Sequence, residues 1–339
     1  MDIISKERLV EITSNFSKLS PICVVGDIGV DKYTYGNVNR ISPEAPVPVL
    51  EVTKEWMKLG LASNISHNLQ TLGVQSTLVG LIGEDKNADI VENLLEECKL
   101  KTWGLVREES RPTIYKERVT TQTQQICRID YEKKSQVSED VAQKLFDRVS
   151  DFYNEHNSLL IEDYGKGTMH TSTIQKLINK FVSDNKIVTV DPSRWTDPLA
   201  YKNCTLLKPN QVEAQILVEA LGYREQSIEQ MADILVDKLN LEKIIITLGG
   251  NGMALVDTKS NNSIEFIPTV ATEVFDVSGA GDTAMSALTA ALLSGASLKE
   301  AAWIGNCASG VVVGKKGTAT VNIDELLDYH QMLVAKFVD

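Results

Sequence analysis

Short apolar runs alternate with longer segments of helical spacing through most of the chain. In the longer segments apolar residues recur every three or four positions, which is typical of amphipathic helices, whereas the short runs are typical of buried strands. In the second half the predicted strands are 159–161, 187–190, 205–207, 244–247 and 253–256, and the predicted helices are 138–154, 171–184 and 227–239. This alternation predicts an α/β fold with a mainly parallel central sheet and helices on both faces.

Two segments, 33–53 and 113–130, interrupt this regular order with alternating, strand-like patterns. The first contains Pro43, Pro46 and Pro48, and proline belongs on sheet edges rather than in sheet centres. We therefore predict a small β-strand lid inserted at about 33–53 and 113–130 into a single domain over residues 1–339. Around the lid the sequence predicts strands at 22–25 and 76–82 and helices at 59–72 and 85–98.

Polar residues follow several of the predicted strands. Asp27 and Asp31 come after the first strand, and Lys208, Asn210 and Glu213 come after the strand at 205–207. Ligands of parallel α/β sheets bind at the carboxyl ends of the strands, so these residues are candidates for ligand contact. The alternative is that they are solvated turn residues, and the same holds for Asn64 as a helix cap.

A glycine-rich turn between residues 274 and 283 is the strongest chemical signal. An apolar, β-prone run is expected before it, and a helix of small and apolar residues follows over 280–293. Gly279, Ala280 and Gly281 would present unpaired N–H groups at the positive end of that helix, which suits phosphate. Asp282 beside this cradle could take a proton from an attacking hydroxyl. The alternative is a tight turn with Asp282 as a helix-start residue.

Charge and composition exclude several classes of protein. The 339 residues carry a net charge of −12, which argues against an electrostatic nucleic-acid binder. Five scattered cysteines without a CxxC pair indicate reduced thiols in the cytosol, and the four histidines form no zinc motif. No apolar run has transmembrane length, so we expect a cytoplasmic protein without membrane contact. Walker, protein-kinase and dinucleotide-binding motifs are absent.

At this point the chain resembles the ribokinase (PfkB-type) family of sugar kinases over nearly its full length. Four motifs carry the resemblance: Val25-Gly26-Asp27 with Asp31, Gly60 to Asn64, Lys208-Pro209-Asn210 with Glu213, and Asp276 to Asp282. Within the family, the segments 40–49, 124–130, 163–167 and 310–321 look like the heptose 7-phosphate kinase branch. That branch phosphorylates C1 of D-glycero-β-D-manno-heptose 7-phosphate with ATP, and the 1,7-bisphosphate is a precursor of the lipopolysaccharide core. No HxGH-like motif follows, which implies the stand-alone kinase form.

The resemblance implies a ribokinase-like three-layer αβα core and a role for each motif. Asp282 would be the base, and the N–H groups of Gly279, Ala280 and Gly281 would hold the γ-phosphate. The implied sugar ligands are Asp27, Asp31, Gly60 and Asn64, and the cations for the 7-phosphate are Lys116, Arg118, Arg128 and Lys166, with Arg194 as a further candidate. The implied residues for ATP are Lys208, Asn210, Glu213, Thr247, Gly249, Gly252 and Asn306. Asn210 and Glu213 would hold Mg²⁺ through water, and Asp276 and Ser278 a monovalent cation such as K⁺. The lid strands are expected to pair in a homodimer.

Some positions depart from the family pattern. The second motif has Leu61 where the family has a second glycine, Ser193-Arg194 stands in place of Lys-Gly, Lys208 replaces threonine, and Ser278 stands where threonine is commoner. Lys and Arg on the lid strands are also the ordinary composition of solvated strand faces. Two other functions therefore stay open: a kinase for another sugar or sugar phosphate, such as fructose 1-phosphate, ribose or a nucleoside, and a non-catalytic sugar or nucleotide sensor.

Overall fold

A sheet of nine strands forms the centre of the computed structural model, which describes residues 4–260, 263–271 and 274–338. In chain order the strands are β1 (Ile22–Gly26), β2 (Ile28–Ile41), β3 (Pro48–Leu61), β4 (Ser76–Gly83), β5 (Leu105–Glu108), β6 (Ile114–Thr120), β7 (Gln125–Tyr131), β8 (Ser158–Glu162), β9 (Ile187–Asp191), β10 (Leu206–Leu207), β11 (Lys243–Thr247), β12 (Met253–Asp257) and β13 (Glu265–Ile267). The central order is β13-β12-β11-β10-β9-β8-β1-β4-β5. All neighbours pair in parallel except β11 with β12 and β12 with β13.

Helices cover both faces of this sheet. They are α1 (Lys6–Ser14), α2 (Ala62–Thr71), α3 (Lys86–Glu97), α4 (Glu139–Phe152), α5 (Thr171–Ser183), α6 (Gln211–Ala220), α7 (Ile228–Leu239), α8 (Ala280–Leu293), α9 (Leu298–Val313) and α10 (Ile323–Val338). Successive strand residues point to opposite faces, so Ile22 and Val24 join one apolar core while Cys23 and Val25 join the other. The first core includes α1 to α3 and α8 to α10, and the second includes α4 to α7. The predicted three-layer fold with a mainly parallel sheet is confirmed.

A second sheet of four strands, in the order β3-β2-β6-β7, contains both segments of the predicted lid and is called the lid below. Its strands exceed the predicted limits: β2 begins at Ile28, and β3 continues to Leu61. Helix α2 therefore begins at Ala62, and the prediction that it opens at 59 was wrong. The reason is a long-range pairing, since β2 and β3 stay hydrogen-bonded from Ile28 with Leu61 onward, and local sequence patterns do not report such pairings.

The segment before α8 is a loop and not the expected β-prone run. Among the described residues of 268–279 no strand is found, and Val274 and Phe275 are exposed. The backbone here is hydrogen-bonded to the end of α9. The N–H groups of Phe275 and Asp276 donate to the carbonyl of Val313 at 2.7 and 3.1 Å. The segment is thereby attached to α9. Among the described helices, none combines the length and the apolar composition that crossing a membrane requires.

Candidate active site

The carboxyl ends of four neighbouring strands meet below the lid. Glu162 and Asp191 end β8 and β9, Lys208 follows β10, and Thr247 ends β11. They line a cavity of about 430 Å³ that also contains the start of α8. Its other lining residues come from the lid, from the loops after β8 and β9, from the starts of α6 and α8, and from the loop before α10; they are Asp31, Leu61, Lys116, Arg118, Arg128, Asp163, Tyr164, Lys166, Pro192, Ser193, Arg194, Trp195, Asn210, Glu213, Ser278, Gly279, Gly281, Asp282 and Thr318. Side chains from both sheets therefore line the cavity.

Asp282 lies in the first turn of α8 and is 5% exposed. Its Oδ2 accepts a hydrogen bond from Asn64 Nδ2 at 2.7 Å, and its Oδ1 accepts one from the Tyr164 hydroxyl at 2.7 Å. Burial raises the pKa of Asp282 to about 6, although both hydrogen bonds favour the ionised form. The result is a carboxylate that is fixed in orientation and able to accept a proton near neutral pH.

The turn before Asp282 has the backbone geometry of an anion site. Gly279 caps α8 with a left-handed φ of 78°, and a Cβ at this position would lie 2.8 Å from Asn64 Nδ2. Within the described chain, no acceptor is found for the N–H groups of Gly279, Gly281 and Asp282. The N–H of Ala280, which was predicted to face the ligand, instead donates to the carbonyl of Val277 at 3.2 Å. Three N–H groups therefore remain for an anion, with Asp282 in place of Ala280.

Tyr164 lines the candidate site and was not predicted from the sequence. It lies on the loop 163–167, which the sequence marked only as a family-like segment. Burial and the nearby Asp282 charge raise the pKa of Tyr164 well above its ordinary value, so its hydroxyl is a hydrogen-bond donor. The hydroxyl therefore orients the predicted base from a position 118 residues away in sequence.

Asp27 supports this loop and does not line the cavity. Its Oδ2 accepts the N–H groups of Tyr164 and Lys166 at 3.0 and 3.3 Å, and its side chain is 1% exposed. Burial raises the pKa of Asp27 to about 6. Its Oδ1 is buried without a hydrogen-bond partner among the described residues, and the binding of a sugar hydroxyl by Asp27 stays a prediction.

Asp31 and Gly60 act together on the lid side. Asp31 lines the cavity, and its Oδ1 accepts a hydrogen bond from Arg118 Nη1 at 2.6 Å. Gly60 does not reach the cavity lining. A Cβ on Gly60 would lie 2.9 Å from Asp31 Oδ2, so this glycine leaves room for the Asp31 carboxylate, and its contact with a sugar stays a prediction.

Leu61 is strained at the point where β3 enters α2. Its φ of 59° and ψ of −140° fall in a region that is nearly restricted to glycine, and this is the position of the family's second glycine. The side chain is 6% exposed and lines the cavity. Strain of this kind costs on the order of 1–3 kcal/mol, and here it places an aliphatic wall in the site.

The cations predicted for the sugar phosphate all line the same cavity, and each contacts a carboxylate. They are Lys116, Arg118, Arg128 and Lys166. Arg128 pairs with Asp130 through two hydrogen bonds of 2.8 and 2.9 Å, whereas Lys116 and Lys166 both contact Glu132. Glu132 was not predicted from the sequence.

A group of acidic side chains surrounds Lys208 at the ends of β8 to β10. Lys208 Nζ contacts Asp191 Oδ2 at 2.7 Å, and both side chains are largely buried. Burial raises the pKa of Asp191 to about 6 and that of Glu162 well above its ordinary value. Glu162 Oε2 is buried without a hydrogen-bond partner among the described residues. Hard carboxylate oxygens of this kind suit Mg²⁺ that keeps several of its waters.

Asn210 and Glu213, the predicted magnesium residues, form a reciprocal capping box. Glu213 Oε2 accepts the Asn210 N–H, and Asn210 Oδ1 accepts the Glu213 N–H, both at 2.9 Å. One carboxylate oxygen of Glu213 is left over, and Glu213 lines the cavity. Among the described residues, no group of three His, Cys, Asp or Glu side chains that could hold a metal ion is found.

A second cavity of about 450 Å³ adjoins the first. Both are lined by Arg194, Asn210, Glu213 and Thr247, and the second also by Gln211, Val212, Leu248 and Gly249. Gly252 and Asn306, which were predicted to contact ATP, line neither cavity. A Cβ on Gly252 would lie 2.0 Å from the Ile267 carbonyl, and Asn306 Nδ2 donates to the Pro268 carbonyl at 2.8 Å. Both residues thus shape the β12–β13 region.

Asp276 connects two loops. Its Oδ1 accepts the Ser278 N–H at 2.9 Å, and its Oδ2 accepts the Gly317 N–H at 3.0 Å. Ser278 lines the main cavity, whereas Asp276 does not. The monovalent cation at these two residues stays a prediction.

Replacing Tyr164 with Phe is expected to lower turnover about tenfold to a hundredfold, because a hydrogen bond to a charged group is worth roughly 1.5–3 kcal/mol. Loss of this donor also raises the pKa of Asp282, so the acid limb of the kcat–pH profile moves above its starting value of about 6. Tyr153→Phe is the matched control, since the Tyr153 hydroxyl donates to Asp184 Oδ2 at 2.6 Å on the surface. An unmoved acid limb in Tyr164→Phe would contradict the role of Tyr164.

A buried carboxylate beside free backbone N–H groups at a helix start can take a proton from a hydroxyl that attacks a phosphoryl group, and this arrangement suits a phosphotransferase. The chain belongs to the pfkB family of carbohydrate kinases, whose model matches residues 22–325. Members of this family use ATP and a divalent metal.

Individual relatives agree with this membership, and solved structures share the fold. The chain is 38% identical over 317 residues to the bifunctional protein HldE of Aliarcobacter butzleri and 39% identical over 315 residues to that of Nitratiruptor sp.. These alignments cover 94% and 92% of this chain but only 66% and 65% of the relatives. Ribokinase from Thermotoga maritima and phosphofructokinase-2 from Escherichia coli share the fold, each at 20% identity, with TM-scores of 0.74 and 0.75. Those comparisons cover 92% and 93% of this chain and 100% and 99% of the solved chains.

Proposed function

We propose that the protein transfers the γ-phosphate of ATP to the C1 hydroxyl of D-glycero-β-D-manno-heptose 7-phosphate, in the synthesis of the lipopolysaccharide core precursor. The observation that carries this proposal is the pairing of a buried base with a group of cations in one cavity. Asp282 lies at one part of the lining, and Lys116, Arg118, Arg128 and Lys166 lie on the lid and on the loop after β8. An acidic chain of net charge −12 has no general attraction for anions, so these local cations support a phosphorylated acceptor.

In the proposed mechanism, Asp282 accepts the proton of the C1 hydroxyl while Asn64 and Tyr164 hold its carboxylate in place. The free N–H groups at the start of α8 stabilise negative charge on the transferred phosphoryl group. Asp31 is available to bind a sugar hydroxyl. The lid strands exclude water from the cavity, which limits hydrolysis of ATP.

The second cavity is the proposed site for ATP because it shares four lining residues with the first. Glu213, Asn210, Asp191 and Glu162 would hold Mg²⁺ through water, and the ion would neutralise phosphate charge there. Arg194 lines both cavities and is exposed, so it can contact the phosphate chain. A monovalent cation such as K⁺ near Ser278 is also proposed.

We also propose a cytoplasmic homodimer through the lid. The support is a set of exposed apolar side chains on the lid strands, namely Ile41, Val52, Met57, Ile129 and Tyr131. Apolar residues on exposed strands favour pairing with a second copy. A single-chain mass by light scattering at working concentration would contradict this.

The test is an ATP-dependent assay of D-glycero-β-D-manno-heptose 7-phosphate against a panel of hexose phosphates, pentose phosphates and free sugars. We expect kcat/KM for the heptose phosphate to exceed that of every other acceptor. Preferred turnover of another sugar would reject the heptose phosphate as the substrate, but the protein would still be a sugar kinase. Binding of ATP and sugar without turnover of any acceptor would favour a sensor.

The second candidate is a kinase for a different sugar phosphate. The strained Leu61 favours it, because this side chain lines the cavity where the family has a glycine. Under this alternative Leu61→Gly would shift turnover within the panel toward the heptose phosphate.

A further inference from the structure

Three charged side chains join the lid to the core at one part of the cavity. Lys116 lies on lid strand β6, Glu132 directly follows lid strand β7, and Lys166 lies on the loop after core strand β8. Glu132 Oε2 contacts Lys116 Nζ at 3.3 Å and Lys166 Nζ at 2.8 Å. The three side chains are only 8–13% exposed. This ion-pair cluster therefore links two separate sheets at a largely buried position.

The two ammonium groups are held close together. Because they contact the same oxygen at 3.3 and 2.8 Å, their nitrogens lie no more than about 6.1 Å apart. Both lysines line the cavity, whereas Glu132 does not. Each ammonium has three N–H donors, so contact with one carboxylate leaves donors for a second anion.

The balance of charge singles out this pair among the four predicted phosphate-binding cations. Arg118 has Asp31 as its own partner at 2.6 Å, and Arg128 has Asp130. Lys116 and Lys166 share the carboxylate of Glu132, which the exposed Lys134 also contacts at 3.5 Å. This one carboxylate does not balance the positive charge of the lysines around it.

Glu132 remains ionised at working pH. Burial opposes this, but the hydrogen bond from Lys166 and the charge of Lys116 lower the pKa of Glu132 to about 2. A permanent carboxylate behind two flexible lysines restricts their side chains before any ligand arrives. Ordering long side chains in advance reduces the entropy cost of binding.

We propose that Lys116 and Lys166 form a subsite for the phosphate monoester of the acceptor, and that Glu132 is its positioning residue. The subsite is complete only when the lid and the loop after β8 are together. Because its two ammonium groups bind an anion, it selects sugar phosphates over free sugars. This inference rests on the proposed function, since it assigns the acceptor's phosphate to these residues.

Glu132→Gln in the full chain tests the positioning role. Without the carboxylate the two lysines lose their common anchor, and we expect KM for the phosphorylated acceptor to rise on the order of tenfold. The dissociation constant of inorganic phosphate, measured by calorimetry with ADP at saturation, should rise by a similar factor. Lys166→Met should weaken phosphate binding as well. The KM for ATP should stay unchanged.

Glu117→Gln is the matched control. Glu117 pairs with Lys32 at 3.1 Å on the same lid, and as the neighbour of Lys116 in β6 it points to the opposite face of the sheet. This variant should leave phosphate binding and both KM values unchanged. An equal effect of Glu117→Gln would show that the lid as a whole, and not the subsite, had been disturbed.

The outcomes separate the two proposals. The subsite is rejected if Glu132→Gln binds inorganic phosphate as tightly as the wild-type protein does, because the carboxylate then does not position the lysines. It is also rejected if the variant binds phosphate more tightly, because the carboxylate then only repels the anion. Failure of phosphate to bind the wild-type protein rejects it too. If Glu132→Gln weakens phosphate binding but the wild-type protein does not turn over the heptose phosphate, the subsite is supported and the proposed substrate is rejected.

Discussion

Asp282→Asn is expected to lower turnover by about a hundred- to ten-thousand-fold, the range that general-base catalysis contributes. The amide keeps the size of the carboxylate but cannot accept the proton of the attacking hydroxyl. Binding should persist, because the free N–H groups of Gly279 and Gly281 belong to the backbone. Steady-state kinetics and calorimetry with each substrate separate these effects.

The pH dependence provides the internal control for this variant. Burial raises the pKa of Asp282 to about 6, so wild-type kcat should fall as the pH drops below 6 and the base becomes protonated. The residual activity of Asp282→Asn should lack this limb. Near-normal turnover by the variant, or an unchanged acid limb in its profile, would remove Asp282 from the role of base.

The same substitution should not weaken the fold. A buried carboxyl whose folded pKa lies above its unfolded value lowers stability as the pH rises from the unfolded pKa to the folded one, so the full cost is present above about pH 6. The neutral amide removes that cost. A melting temperature at pH 8 equal to or higher than that of the wild-type protein would show that lost activity is not lost folding.

Much of the fold could be predicted because local patterns determine it. The limits of α8 agree with the predicted helix 280–293, since Gly279 marks its start in the sequence. The limits of the lid strands were harder to predict. The length of β3 depends on its pairing with β2, and this pairing continues to Leu61, past residue 59 where the sequence predicted the start of a helix.

The candidate site shows the same division. Motif residues such as Asp282 and Asn64 could be proposed from the sequence, since each lies in a recognisable turn or helix start. Tyr164 and Glu132 could not, because a tyrosine or a glutamate beside a strand has an ordinary structural explanation. Their partners are distant in sequence: Tyr164 is 118 residues from Asp282, and Glu132 is 34 residues from Lys166. Only the folded chain brings these groups together.

Lys208→Met is expected to destabilise the protein by about 3–5 kcal/mol, the usual result of removing one partner of a buried ion pair. Lys208 is 3% exposed, and its ammonium contacts Asp191 at 2.7 Å. Methionine fills a similar volume but leaves the carboxylates of Asp191 and Glu162 buried without their cation. Equilibrium unfolding in urea at pH 8 measures the loss.

Lys243→Met is the matched control, because Lys243 and Asp257 form a more exposed pair at 3.2 Å, for which we expect a loss of at most about 1 kcal/mol. The pH dependence then identifies the cause. The pKa of Asp191 is about 6 even with Lys208 present, and it rises further when the cation is removed. Protonation below pH 6 neutralises the unpaired carboxylate, so the deficit of Lys208→Met should shrink between pH 8 and pH 5. A deficit of equal size at both values would mean that the loss comes from packing, and that Lys208 is not the counter-ion of the acidic group at the strand ends.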